Sequence, residues 1–119
     1  MNMITFQITE NDVKQYAAIS GDYNPIHLDI EAAKKQGFTN KIAHGMLTVA
    51  KVLSELSNEI LNPQECFSQY EFTFIAPVYI GDRVTITIKQ TEHSIRVEGK
   101  CKEKLVVKGY LMIRKEYAQ

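Results

Sequence analysis

Cysteine, proline and glycine are sparse in this sequence, at 2, 3 and 6 residues in 119, and tryptophan is missing. With no Ser/Gly/Pro-rich stretch and no internal repeat, nothing marks a linker or a low-complexity segment. A single domain over residues 1–119 is the expectation, since two cores would each approach the size at which folding alone becomes marginal. Cys66 and Cys101 lie far apart with no CxxC spacing, which supports neither a zinc site nor a thioredoxin-like motif and makes both reduced packing residues. Net charge is also lacking: 14 basic residues balance 14 acidic ones, too little positive charge to argue for a nucleic-acid partner. No apolar run approaches the roughly 18 residues that cross a bilayer. Met1-Asn2-Met3-Ile4-Thr5 has neither the basic start nor the apolar stretch of a signal peptide, so the expected location is cytoplasmic, away from membranes.

What is present is an ordinary globular composition, 45% hydrophobic and 24% charged, unlike that of collagen-like or disordered chains. The charge is unevenly placed. Residues 1–82 hold 5 basic and 10 acidic side chains, and residues 83–119 hold 9 and 4. In the basic part the charges mostly alternate with apolar residues, as on the solvated face of strands.

Helical signals fill the first half. Thr9 with Asp12 predicts an N-cap, Val13, Tyr16, Ala17 and Ile19 or Ser20 form a stripe, and Gly21 ends the helix. Asp29 predicts the cap of a short helix over 31–36 with Gly37 as its stop. From Gly45 to Leu61, Met46, Val49, Ala50, Leu53, Leu56 and Ile60 follow helical spacing; Leu47, Val52 and Leu61 widen the stripe, predicting a largely buried helix closed by Asn62-Pro63. Beyond Pro63 the period becomes two: Tyr70, Phe72, Phe74; Val84, Ile86, Ile88; Ile95, Val97; and a β-prone run from Leu105 to Arg114. Strands joined by short turns with one long helix to cover them imply an α+β architecture, in which an antiparallel sheet curls around that helix. Its open edges would be satisfied by a second copy, which predicts a homodimer.

Chemistry concentrates in Ser20-Gly21-Asp22-Tyr23-Asn24-Pro25-Ile26-His27-Leu28-Asp29. Gly and Pro force an irregular path along which Asp22 and His27 can converge on one small ligand; equally, Asp22 and Asn24 can serve as Asx turns around a half-exposed His27. His27, Asp29 and His44 also hold the residue types of a two-His, one-carboxylate metal triad, against which Asp29 has its own use as a helix cap. Ile42-Ala43-His44-Gly45-Met46 precedes the long helix. Gly45 then falls at a helix N-terminus, where free amides and the absence of a Cβ suit an oxyanion, or simply a tight turn.

Tyr16-Ala17, the Ser20 to Asp29 segment, Ala33, Phe38, Ile42 to Met46, and later Phe72-Thr73-Phe74-Ile75-Ala76-Pro77-Val78-Tyr79-Ile80-Gly81-Asp82 together resemble the MaoC-like dehydratases, the (R)-specific enoyl-CoA hydratases, over nearly the whole chain. The resemblance implies a hot-dog fold with the active site at or near a dimer interface. It further implies Asp22 and His27 as the catalytic pair, Gly45 as backbone donor to a thioester oxygen, and Asn24 as an orienting residue. The implied partner is an acyl-CoA or acyl-carrier-protein thioester, with no metal and no other cofactor. Tyr23, Phe38, Met46, Leu47 and Ala50 are near enough in sequence to line an acyl channel, and Lys100, Lys102 and Lys104 could meet the carrier's phosphates. Three rivals stand beside this reading: a hot-dog acyl-CoA thioesterase, a non-catalytic acyl-thioester binding subunit, and an iron-dependent oxygenase built on the metal triad.

Overall fold

Five strands and three α-helices organise residues 3–115, the part of the chain described by the computed structural model. They run in the order β1 (Met3–Gln7), α1 (Glu10–Ser20), α2 (Ile30–Lys35), α3 (Gly45–Glu59), β2 (Glu65–Phe74), β3 (Arg83–Gln90), β4 (Ser94–Cys101) and β5 (Lys104–Lys115). The strands form one antiparallel sheet of order β1-β3-β4-β5-β2.

Local chemistry sets the helix limits. Thr9 accepts from the Asp12 amide while the Asp12 side chain accepts from the Thr9 amide, a complete capping box, and Gly21 closes α1 in the left-handed region at φ 78°. Asp29 caps α2 by accepting from the Glu31 amide. In α1 the buried residues are Val13 and Ala17, whereas Ile19 is 84% exposed, so the stripe is narrower than the sequence suggests. Helix α3 buries Leu47, Thr48, Val49, Val52 and Leu56, with Val52 and Leu56 completely enclosed. Met46 and Ala50, expected in the buried stripe, lie on an exposed face of this single chain.

The core joins Leu47, Val52 and Leu56 to the inner residues of the sheet, among them Val84, Ile86, Ile95, Val97, Val107 and Leu111. Gly99 and Gly109 lie on that inner side without side chains of their own. A Cβ on Gly99 would stand 2.7 Å from Val107, and one on Gly109 2.6 Å from Phe72.

Two features depart from the sequence reading. The N-terminal segment forms an edge strand, β1, which the periodicity had not marked. Nor does a short turn join β2 to β3: the segment from Ile75 to Asp82 carries the chain across the sheet, so that β2 lies beside β5 and β3 between β1 and β4. Short turns do join β3 to β4 and β4 to β5, the latter through Lys102 and Glu103, both at positive φ. Cys66 is half-buried and Cys101 buried; burial pushes the Cys101 thiol up to about 11, out of reach of thiolate chemistry near neutral pH.

Candidate active site

The segment after α1 is held by its own side chains. Ser20 Oγ donates to the Tyr16 carbonyl and accepts from the Asp22 amide. Asp22 Oδ1 accepts from the Asn24 amide, and Asn24 Oδ1 from the Ile26 amide, which starts a one-turn 3-10 helix over Pro25–His27. The Asx turns foreseen for Asp22 and Asn24 are therefore real, and they leave Asp22 Oδ2 free to serve elsewhere. Asn24 shapes the backbone between the two predicted catalytic residues.

That path drives His27 inward, to 7% exposure. Its Nδ1 lies 2.7 Å from the Ile42 carbonyl, and Ile42 returns its own amide to the Ile26 carbonyl at 3.2 Å. A carbonyl can only accept, so Nδ1 carries the proton and Nε2 presents a lone pair. Nε2 faces Asp22 Oδ2 across 3.9 Å, too far for a direct hydrogen bond. Burial, the largest influence, holds His27 below the ordinary imidazole value of 6.5; the Ile42 bond opposes it, His44 adds to it, and Asp22 opposes it weakly. The pair is thus two acceptors, one buried and one half-exposed, facing a gap suited to a hydrogen-bond donor.

His44 stands directly behind. Its ring stacks on that of His27 with centroids 3.7 Å apart and planes 25° from parallel, while Tyr16 flanks the other ring contact at 4.8 Å. His44 Nε2 donates to the Asp22 carbonyl at 3.0 Å. Its carbonyl accepts from the Leu47 and Thr48 amides, and no side chain caps α3. The first amides of the helix, at Gly45 and Met46, are left directed beyond its end, where the helix dipole favours negative charge.

Beside that end lies a cavity of about 290 Å³ lined by Gly45, Thr48, Phe74, Ile75, Val106 and Val107 among others. The Phe74 ring packs on Gly45: a Cβ there would meet its Cζ at 2.9 Å. None of Tyr23, Phe38, Met46, Leu47 and Ala50 lines this cavity. Leu47 belongs to the core, Phe38 is half-buried, and Tyr23, Met46 and Ala50 are exposed in the single chain. Besides Ile42, Ala43, Gly45 and Thr48 around the start of α3, its lining comes from the end of β2, the crossover and β5, remote in sequence from the loop. Lys102 lies in the β4–β5 turn, with Lys100 and Lys104 on the flanking strands.

The metal triad does not assemble as expected, because Asp29 is spent on capping α2. Asp22, His27 and His44 do bring ligand atoms within 4.8 Å of one another. The donor set suits a metal poorly, since the His44 nitrogen beside Asp22 already donates to a backbone carbonyl and a donating nitrogen has no lone pair to offer.

The family profile of the MaoC like domain matches residues 2–114. The chain belongs to this family. Among curated MaoC-like relatives, a mitochondrial 3-hydroxyacyl-[acyl-carrier-protein] dehydratase of Arabidopsis thaliana is 33% identical over 100 residues, 78% of this chain. An (R)-specific enoyl-CoA hydratase of Rhodospirillum rubrum is 36% identical over 84 residues, 71% of this chain. The matched stretches span 59% and 58% of those two proteins. An unliganded R-hydratase from Pseudomonas aeruginosa superposes with a TM-score of 0.83 at 30% identity, covering 98% of this chain and 79% of its own. The (R)-hydratase of Aeromonas caviae does so at 0.83 with 23% identity, covering 95% and 92%, a likeness of fold. The sheet curved about α3 is accordingly the hot-dog fold of the MaoC-like hydratases.

Proposed function

We propose that this MaoC-like chain hydrates trans-2-enoyl thioesters to (R)-3-hydroxyacyl thioesters, and catalyses the reverse dehydration, with Asp22 and His27 as the catalytic pair. The observation that carries the reading is the 3.9 Å gap between His27 Nε2 and Asp22 Oδ2, with the imidazole proton tied up on the far side by the Ile42 carbonyl. A water seated there can donate one O–H to each acceptor, which aims an oxygen lone pair outward.

Hydration then needs three things. The pair takes a proton from the water as its oxygen bonds to the β-carbon; the π electrons of the alkene move toward the thioester oxygen; and the pair returns a proton to the α-carbon, so that one water is added in all. Charge gathers on the thioester oxygen only as the oxygen attacks. The Gly45 amide at the start of α3 stabilises that charge more than it stabilises the neutral substrate. The pair needs no metal ion and forms no covalent intermediate. The substrate arrives as an acyl-CoA or an acyl-carrier-protein thioester, and the working unit is a cytoplasmic homodimer. Support for this assignment comes from the family, from relatives that include hydratases and dehydratases, and from the geometry of the loop.

The test is a panel of trans-2-enoyl-CoA esters of increasing length, followed with and without a chelator by loss of the enoyl chromophore, by thiol release and by chiral analysis of the product. Chromophore loss without thiol release, giving the (R)-alcohol and indifferent to chelation, is expected. Thiol release in its place would make the chain a thioesterase. Binding without either change would make it a carrier subunit.

A further inference from the structure

Of the groups around the catalytic pair, His44 has no part in the chemistry above, yet it touches both members. It is 3% exposed. One face of its ring lies on His27 at 3.7 Å, and its Nε2–H holds the Asp22 carbonyl at 3.0 Å. Its remaining nitrogen, Nδ1, is buried with no hydrogen-bond partner among the described residues. Buried polar atoms are nearly always satisfied, and one that is not asks for an explanation beyond stability. As a structural residue His44 is a poor choice, because an apolar ring would fill the same space without the unpaired acceptor. As a link it fits well: no other side chain here both bonds to the main chain of Asp22 and stacks on the imidazole of His27.

We infer that His44 is the positioning residue of this site, fixing the separation of Asp22 and His27 by holding the backbone of one and the ring plane of the other. The inference rests on the hydratase reading. Asp22 has its side chain 51% exposed and sits on a loop, so without the bond from His44 its placement rests on the Ser20 hydroxyl at its amide and the Asx turn to Asn24, both local to the loop. Misplacement of a reacting group by about 1 Å is enough to cost on the order of a hundredfold in rate. Since His44 reaches the substrate only through its neighbours, its loss should lower kcat and leave KM alone.

The experiment compares wild type with His44→Phe, which keeps a stacking ring and removes both nitrogens, and with His44→Gln, which restores an N–H toward the Asp22 carbonyl. Steady-state kinetics on a short enoyl-CoA are read alongside thermal melting. His44→Phe should melt no lower than wild type and lose about a hundredfold in kcat at a KM within twofold, and His44→Gln should recover at least tenfold of that. Combining His44→Phe with Asp22→Asn should cost little more than Asp22→Asn alone, because nothing remains to be positioned. Wild-type kcat in folded His44→Phe, or no recovery in His44→Gln, overturns the inference. Should His44→Phe not fold, His44→Ala takes its place with the same criteria. A wild-type protein inactive on every enoyl thioester would instead overturn the hydratase reading, and this inference with it.

Discussion

His27 and Asp22 differ in how tightly the fold controls them. The imidazole is buried and tied to Ile42, while the carboxylate is half in solvent. Replacing Asp22 by Asn or His27 by Ala should each lower turnover of a short enoyl-CoA by at least about a hundredfold, the scale of positioned acid–base groups, with circular dichroism unchanged; near wild-type turnover in either would remove the pair from the mechanism. The depressed titration of His27 has two further consequences. Catalysis needs the lone pair on Nε2, so the rising acidic limb of the kcat/KM profile should have its midpoint below 6.5. Stability follows the same sign: below about 6.5 the unfolded chain binds a proton that the folded chain resists, so acidification destabilises the fold, and the loss begins as pH falls through the unfolded value. Melting temperatures of wild type and His27→Gln, measured downward from pH 7, should therefore converge, with wild type falling faster; parallel curves would show that His27 titrates normally in the fold.

Helix α3 carries the second half of the proposed chemistry at its first residue. A side chain at position 45 would meet Phe74 and crowd any oxygen approaching the amide. Since Phe74 is 51% exposed, its ring can move aside, and Gly45→Val should fold while losing at least the roughly hundredfold to thousandfold expected for one oxyanion donor. Full activity in a folded Gly45→Val would reduce Gly45 to a packing glycine. Elements of this kind were legible in the sequence because their causes are local: Thr9 with Asp12, Gly21, Asp29 and Pro63 act on neighbouring backbone, and apolar period distinguishes α3 from β3 and β4. The five residues of β1 were too few for alternation to stand out, and its pairing with β3 joins Met3 to Thr87, far away in the chain. Likewise, Asp22, His27 and Gly45 were recognisable as a motif, but the stacking of His44 on His27 and the contribution of Phe74, Val106 and Val107 to the cavity depend on how the crossover threads the sheet. Sequence proximity to the loop was a poor guide to that cavity, since neighbours on α3 such as Met46 and Ala50 point away from the core.

At the scale of the whole molecule, several of the large apolar side chains left exposed gather along one edge of the sheet. Strand β2 is an edge with only β5 beside it, and Tyr70, Phe74 and Ile75 along it and just beyond are each about half exposed, as is Met46 at the start of α3. Large apolar residues gathered near one edge mark an association surface in a protein of this size, and unpaired strand edges are ready templates for a partner strand. Met46 follows Gly45 directly, and Phe74 and Ile75 border the cavity, so these exposed residues adjoin the proposed oxyanion donor. The homodimer proposed above would cover these residues. Met46→Glu places a charge within that apolar surface while, at an exposed helix position, leaving the isolated fold little changed. Sedimentation at micromolar concentration should show wild type as a dimer and Met46→Glu as largely monomeric. Enoyl-CoA turnover in the variant should fall with the dimer fraction and recover as protein concentration is raised. A wild-type protein that sediments as a fully active monomer would show that one copy completes the site, and the exposed residues along β2 would then need another partner to explain them.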